Sequence, residues 1–396
     1  MTQASLVVGK VARVEGPAAA RRVEAAAQAS VRLADGTQVR LDAGDARTGK
    51  YLGLLGRAQE HGIQVALEVD ASRTMRALYL PSEGRVRSAG AGPDGSVIVA
   101  LDGDSGCYAL AASHPRFAQL RQTLEGAAAA RGRVLLVDDH ARRIVDVQVL
   151  DGGLPAPPPG VRRDVQAGVP SPAHQQWRIG QFSVAGAFDL LREMSGLRSD
   201  PANPAADSIP FNYPDGGCWV RAQAMCRVLR QRRLPAGIVW LLPYDAAVMY
   251  IPQSKPSLRA ITRNLPDKWP GYEVPAAWWF WHCAPVIMVE HRENDYRPYV
   301  IDPSIQLNDN DPSVTLQEWI DTVQQPGEKP ETFPYFTEGN VFNIRDASPQ
   351  SASNLLFDDE NYSETNRLLA YYQDKLHHRW IETRGPPYPQ WAGPAA

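Results

Sequence analysis

FNYPDGGCWVRAQAMCRVL (211–229) decides how the second half of this chain is read. Asp215-Gly216-Gly217 is a turn signal, and an apolar stripe follows it: Cys218, Ala222, Met225, Cys226 and Leu229. Those positions recur at helical spacing and so predict an amphipathic helix from Gly217 to about Arg232. Leu234-Pro-Ala-Gly237 stops that helix. A cysteine at a helix start meets the positive end of the helix dipole and unpaired N–H groups, which favour thiolate over thiol. The glycines before it let a carbonyl approach the backbone, and the Cys218 N–H is a natural oxyanion donor. Taken alone, Cys218 reads equally well as a small buried residue on the stripe.

Two downstream segments change that balance. WHCAPVIMVE (281–290) is an apolar strand carrying His282, and YVIDPS (299–304) ends a second strand at Asp302. An antiparallel hairpin turning at Arg292-Glu293-Asn294 sets His282 opposite Asp302. Directly opposed Cβ atoms lie roughly 5 Å apart on one face. A carboxylate there can hold the imidazole in one tautomer and leave the other nitrogen for a thiol. Cys218, His282 and Asp302 therefore form a candidate cysteine-nucleophile triad for acyl transfer on a carboxamide or ester.

Other candidates carry less. Gly217 and Trp219 flank the nucleophile, and Asn212 is a candidate second oxyanion donor or a turn residue. Trp279 and Trp281 flank His282 and read as a substrate wall or as core. Cys226 reads as core and Cys107 as unrelated to the site. No Cys/His spacing suits zinc, and no phosphate loop or acidic metal cluster is present, so neither metal nor cofactor is expected.

Outward from this centre the chain divides. LPAPPPG (154–160) and VPSP (169–172) mark a proline-rich linker over 154–174. Before it, SVRLADGTQVRL (30–41) resembles SVIVALDGDSGCYAL (96–110), each a strand, an Asp-Gly turn and a strand. An Ala/Leu-rich helix and two short strands follow each. The expectation is two tandem ββαββ units of about 65 residues each, over 1–82 and 83–153. Residues 175–385 form the catalytic domain and 386–396 a tail. The fold class is α+β. Thr315-Leu-Gln-Glu318 predicts a capping box, and a final helix runs over about 363–384.

The chain has 396 residues and a net charge of -3. That charge supplies no basic field for nucleic acid and no polybasic membrane patch. The first residues lack the apolar core of a signal peptide, so cytoplasmic synthesis is expected, followed or not by signal-independent export. Four cysteines make no disulfide framework.

Residues 208–225, 281–289 and 299–320 resemble the nucleophile, histidine and Asp-Pro-Ser segments of bacterial protein-glutaminases. The resemblance covers about residues 175–325. It implies a transglutaminase-like, papain-related α+β fold with Cys218, His282 and Asp302 as nucleophile, base and orienting acid. It also implies hydrolysis of protein-bound glutamine to glutamate, with an exposed glutamine of a protein or peptide as substrate. Residues 243–276 are longer than the family pattern leads one to expect. A cysteine peptidase or a transglutaminase would use the same triad, and a secretion-system deamidase toxin would carry the same domain. A binding module would leave Cys218 unreactive. The N-terminal units are expected to recruit a target or to cover the active site.

Overall fold

The computed structural model describes residues 5–15, 29–42, 44–92, 95–102, 104–140, 142–150, 161–165, 209–210, 216–234, 236–243, 258–260, 277–293, 295–305, 314–323, 332–339, 341–345, 355–359 and 362–383. The fold is α+β, with short helices on antiparallel sheets.

The first unit contains β1 (Ser5–Glu15), β2 (Ser30–Leu33), β3 (Gln38–Arg40), α1 (Thr48–Glu60), β4 (Gln64–Val69) and β5 (Met75–Tyr79). The second contains β6 (Ser82–Ala91), β7 (Val97–Leu101), β8 (Cys107–Leu110), α2 (Phe117–Ala129), β9 (Arg133–Asp138) and β10 (Ile144–Leu150). The sheet orders are β3-β2-β1-β4-β5 and β8-β7-β6-β9-β10. Each unit is therefore βββαββ, one strand more than the ββαββ expected, and the added strand is the central one. Its residues hide it. β6 alternates buried and less buried positions, but Ser82, Gly84 and Ser88 occupy the buried side, where large apolar residues would signal a strand. Gly84 is small because Leu101 crosses over it, 3.2 Å from where a Cβ would stand. Gly9 lies under Leu33 in the same way.

In α1, Tyr51, Leu54, Leu55 and Ala58 are buried, a helical stripe that packs on the sheet beneath. In α2, Leu120, Leu124 and Ala127 do the same.

After β11 (Val161–Val165) come α3 (Cys218–Gln231), β12 (Gly237–Pro243), β13 (Leu258–Ala260), β14 (Ala277–Trp279), β15 (His282–Arg292), β16 (Asp295–Val300), β17 (Val314–Thr315), α4 (Leu316–Val323), β18 (Thr332–Glu338), β19 (Val341–Arg345), β20 (Leu355–Asp359) and α5 (Ser363–Thr383). A five-stranded sheet, β17-β16-β15-β12-β18, is its centre. Side chains of β15 alternate, as strand geometry requires. Cys283, Ile287 and Val289 join the core cluster that contains α3, while Ala284, Val286 and Met288 join the one that contains Trp319 of α4. Thr315 and Glu318 form the expected capping box, with Thr315 N–H to Glu318 Oε2 at 2.8 Å and Glu318 N–H to Thr315 Oγ1 at 3.3 Å.

The α3 cluster does not stop at residue 209. Ile98, Ala100, Cys107 and Ala109 of the second unit are part of it, so Cys107 belongs to the same core as Cys218 rather than to an unrelated one. The first unit has a core of its own, joined by Ile381 of α5.

Candidate active site

The helix α3 begins where two glycines make it possible. Gly217 is the N-cap, at φ 72 and ψ 19, a left-handed conformation that L side chains seldom adopt. A Cβ there would stand 2.5 Å from the Tyr372 ring, and one at Gly216 would stand 2.9 Å from Asp104 Oδ1. Arg221, one turn into α3, donates from Nη1 to the Gly216 carbonyl at 2.6 Å and pins the turn. Cys218 is the first residue of the helix and is 2% exposed.

His282 opens β15 and is fully buried. Its Nε2 meets Asp302 Oδ2 at 2.7 Å. The pair forms, but not by the direct opposition expected. Val286 faces Val300, so the position opposite His282 is 304 rather than 302. The hairpin turns between Arg292 and Asp295, and that centre, not the bulge between Glu290 and Arg292, carries the position opposite His282 beyond Asp302. Asp302 lies past the end of β16 in a turn closed by the Ile305 N–H on the Asp302 carbonyl at 3.2 Å. Ser304 gives its hydroxyl and, at 3.3 Å, its N–H to Asp302 Oδ1. Trp319 gives its indole N–H to Oδ2 at 3.0 Å.

The protonation states follow from these contacts. Burial opposes charge on all three groups. On Cys218 it is outweighed by the contacts with Cys283 and His282, then by the charges of His282 and Arg221, and the thiol lies well below its ordinary range. Cys283 shifts the other way, raised by burial and then by its bond to Cys218, so it stays a protonated donor to the thiolate. On His282 burial lowers the value, but the charge and hydrogen bond of Asp302 and the contact with Cys218 raise it to about 9. Asp302 is lowered despite burial by His282, Ser304 and Trp319. His282 Nδ1 is buried and makes no aligned hydrogen bond among the described residues, although the imidazole shares its charge with the neighbouring sulfur. The arrangement favours a thiolate–imidazolium pair at neutral pH.

The remaining candidates separate. Gly217 is at the thiol. Trp219 and Trp281 pack on each other with ring centres 5.5 Å apart, inside the α3 core, Trp219 also meeting Tyr372 and Trp281 meeting Trp240. Trp279 stacks on His282 at 4.3 Å and 18°. Asn212 lies outside the described residues. Cys226 is core, its thiol pushed up to about 12 by burial.

A group from the other half of the chain also reaches the thiol. Ser105, fully buried, places Oγ 3.3 Å from Cys218 Sγ. Its carbonyl accepts the Phe280 N–H at 2.9 Å, and Gly106 forms an antiparallel bridge with Trp279. Sequence reasoning did not single out Ser105, Arg221, Cys283, Ser304 or Trp319. For Arg221 a signal existed, since residue i+3 from a helix N-terminal nucleophile shares its face.

Residues 184–323 match the family model described as glutaminase. The matched stretch contains Cys218, His282 and Asp302. This segment belongs to the glutaminase family. The match supports glutamine deamidation as the chemistry of this segment, in agreement with the resemblance seen in the sequence. Nothing among curated proteins matches it. A crystal structure of pro-protein-glutaminase is similar at 16% identity, over 72% of this chain and 90% of that one, with a TM-score of 0.45. An NMR structure of protein-glutaminase from Chryseobacterium proteolyticum is 20% identical over 47% of this chain and 85% of that one, with a TM-score of 0.32.

Proposed function

We propose that this glutaminase hydrolyses the side-chain amide of protein-bound glutamine through Cys218, His282 and Asp302. The observation that carries the reading is the buried His282–Asp302 pair at 2.7 Å beside a thiol at a helix N-terminus. The Cys218 thiolate attacks the carboxamide carbon, and the Cys218 N–H holds the developing oxyanion. Protonated His282 gives its proton to the departing nitrogen, which leaves as ammonia and gives a thioester. Neutral His282 then takes a proton from water as the oxygen adds to the thioester carbon. Thiolate leaves, and glutamate is released. Asp302 holds the imidazole throughout. Each acid–base step contributes about 10²–10⁴-fold.

The second unit covers this site in the chain as folded. Ser105 sits on the sulfur, and all three reacting residues are 4% exposed or less. Substrate therefore requires the segment around Ser105 to move, and the full-length chain is the restrained form of the enzyme.

The test is ammonia release from a glutamine-rich protein such as casein, with intact mass of the product. Three full-length chains are compared: wild type, a chain with residues 102–106 shortened, and the shortened chain carrying Cys218→Ala. Ammonia from the shortened chain, with the mass increment of amide-to-acid exchange and no cleavage, is the expected result. Loss of that ammonia in Cys218→Ala identifies the nucleophile. Peptide cleavage or cross-linked product would replace deamidation with peptidase or transferase chemistry.

A further inference from the structure

Asp302 Oδ2 receives two N–H groups, one from His282 at 2.7 Å and one from the Trp319 indole at 3.0 Å. Trp319 is fully buried, and its ring also stacks on the imidazole, with centres 5.6 Å apart and 27° between planes. We infer that Trp319 is a positioning residue of the reaction, its indole N–H holding Asp302 Oδ2 in line with His282 and its ring limiting the tilt of the imidazole. This rests on the Cys218–His282–Asp302 reading above.

A core tryptophan would need only some acceptor for its N–H. A backbone carbonyl would satisfy it equally. Here the acceptor is the same oxygen that orients the base. A carboxylate's last torsion is soft, a broad two-fold sp³–sp² rotation. Ser304 secures Oδ1, and the indole secures Oδ2, so the group cannot swing. The rotation of α4 that aims the indole is set by the Thr315–Glu318 capping box four residues earlier and by Ile320 and Val323, buried on the same helix. Trp279 stacks on the imidazole at 4.3 Å, so two indoles flank the ring. Aromatic faces favour a cation, and so favour the imidazolium that delivers the proton.

The consequence of losing the indole N–H is specific. With one donor gone, Oδ2 concentrates its charge on the His282 N–H, and the imidazolium is held more tightly. The carboxylate also gains rotational freedom, which misaligns the base.

The experiment uses the full-length chain with labelled histidine, as wild type and Trp319→Phe, and follows the His282 ring nitrogens by NMR against pH. Turnover is measured in the same variants on the chain with shortened residues 102–106. The expected result is an upward move of the His282 midpoint by about half a unit, roughly threefold in proton affinity. Turnover falls by about tenfold with KM unchanged, since positioning acts on the chemical step. If the phenyl variant loses its near-ultraviolet circular dichroism, benzothienylalanine at 319 keeps the bicyclic shape and removes only the N–H. The same two changes are expected of it. An unmoved midpoint in a folded variant overturns the inference, whether or not turnover falls, because a packing defect slows the enzyme without retuning the base. Undiminished ammonia from Cys218→Ala would instead overturn the reading of the site itself.

Discussion

The two N-terminal units share one plan and have come to do different things with it. Their β-turns show this at the level of single hydrogen bonds. In the first unit the β4–β5 turn pairs Asp70 N–H with the Thr74 carbonyl, and Arg73 is left-handed at φ 57. In the second, Asp139 N–H meets the Arg143 carbonyl, and Arg142 is left-handed at φ 60. Each turn then passes a carbonyl to the neighbouring strand, Arg73 to the Arg40 N–H and Arg142 to the Ala109 N–H. The backbone is the same, but the arginines are not used alike. Arg73 is exposed, while Arg142 is buried, pairs with Asp104 and lies over the Tyr108 ring at 4.1 Å. Tyr108 adds its hydroxyl to Asp104 at 2.7 Å. Asp104 is thereby fixed beside Gly216, and Ser105 beside Cys218.

The corresponding connection in the first unit is an ordinary hairpin turn. Residues 34–36 are exposed, and Asp35 caps its own Thr37 N–H at 2.9 Å. Between β7 and β8 the connection is one residue longer, 102–106 against 34–37. A difference of one residue and one buried ion pair separates a solvent turn from a segment packed on Cys218. The largest expected effect follows from this. Replacing residues 102–106 by Ala-Asp-Gly-Thr, the sequence of 34–37, should raise the rate of Cys218 alkylation by iodoacetamide at neutral pH by at least about tenfold. Changing 34–37 to Gly-Ser-Gly-Ser should leave that rate unchanged. Equal rates for both exchanged chains and wild type would remove the covering role.

The arginines break the comparison next. Arg142→Met strips the partner from a buried carboxylate, which costs about 3–5 kcal/mol. Arg73→Met keeps the same left-handed backbone and removes only an exposed charge, so it should fall within about 0.5 kcal/mol of wild type. Urea unfolding of the two variants measures both, and equal losses would mean that the buried pair does not hold the second unit together.

What the sequence made legible and what it hid divides along the same line. The helix of Cys218 and the strand of His282 were legible because 218–229 carries a stripe at helical spacing and 282–289 is a continuous apolar run buried on both faces. The proposed triad rests on residue types at element ends. The central strands β1 and β6 were not legible, because close packing puts glycine and serine where a strand pattern needs bulk. The register of β15 on β16, with Val286 facing Val300, depends on where the hairpin turn is centred, and alternation fixes the face of a side chain but not its cross-strand partner. Asp102-Gly103 reads as a turn, like Asp35-Gly36, and only the folded contacts of Asp104 and Ser105 distinguish the two. Trp319 was placed on its helix by the capping box, but its acceptor is 17 residues earlier in the chain and has no local signal.

The pH profile sharpens the comparison without depending on the cover. His282 is raised from 6.5 to about 9, so the imidazolium persists at neutral pH and is lost as pH rises through about 9. Turnover, which needs that proton for the leaving nitrogen, should fall through the same range. Cys218 is lowered, so the acid side of the profile should lie well below the pH at which an ordinary thiol ionises. Exchanging residues 102–106 should change the height of this profile and leave the basic limb in place, since Asp302 takes its bonds from His282, Ser304 and Trp319. A basic limb near 6.5 in the exchanged chain would show that the cover, not Asp302, holds the proton on His282.

The smallest expected effect concerns how the first unit is attached. It meets α5 through Arg57 and His61 on Asp374, at 2.8 and 3.1 Å, and through Arg47 and Tyr51 on Glu382. The second unit meets the same helix through the buried Asp138–Lys375 pair at 2.7 Å. Arg47 is 35% exposed, so water screens most of its attraction to Glu382. Glu382→Gln keeps the side-chain shape and an acceptor oxygen for Arg47, its NH2 facing the Tyr51 hydroxyl, which can accept, and should cost about 1 kcal/mol or less in urea unfolding. Cys218 alkylation should not change, because no residue of the first unit contributes to the core cluster around Cys218. A faster alkylation in this variant would mean that the first unit helps press the second onto the thiol through α5, and the division of labour between the two units would then be one of degree.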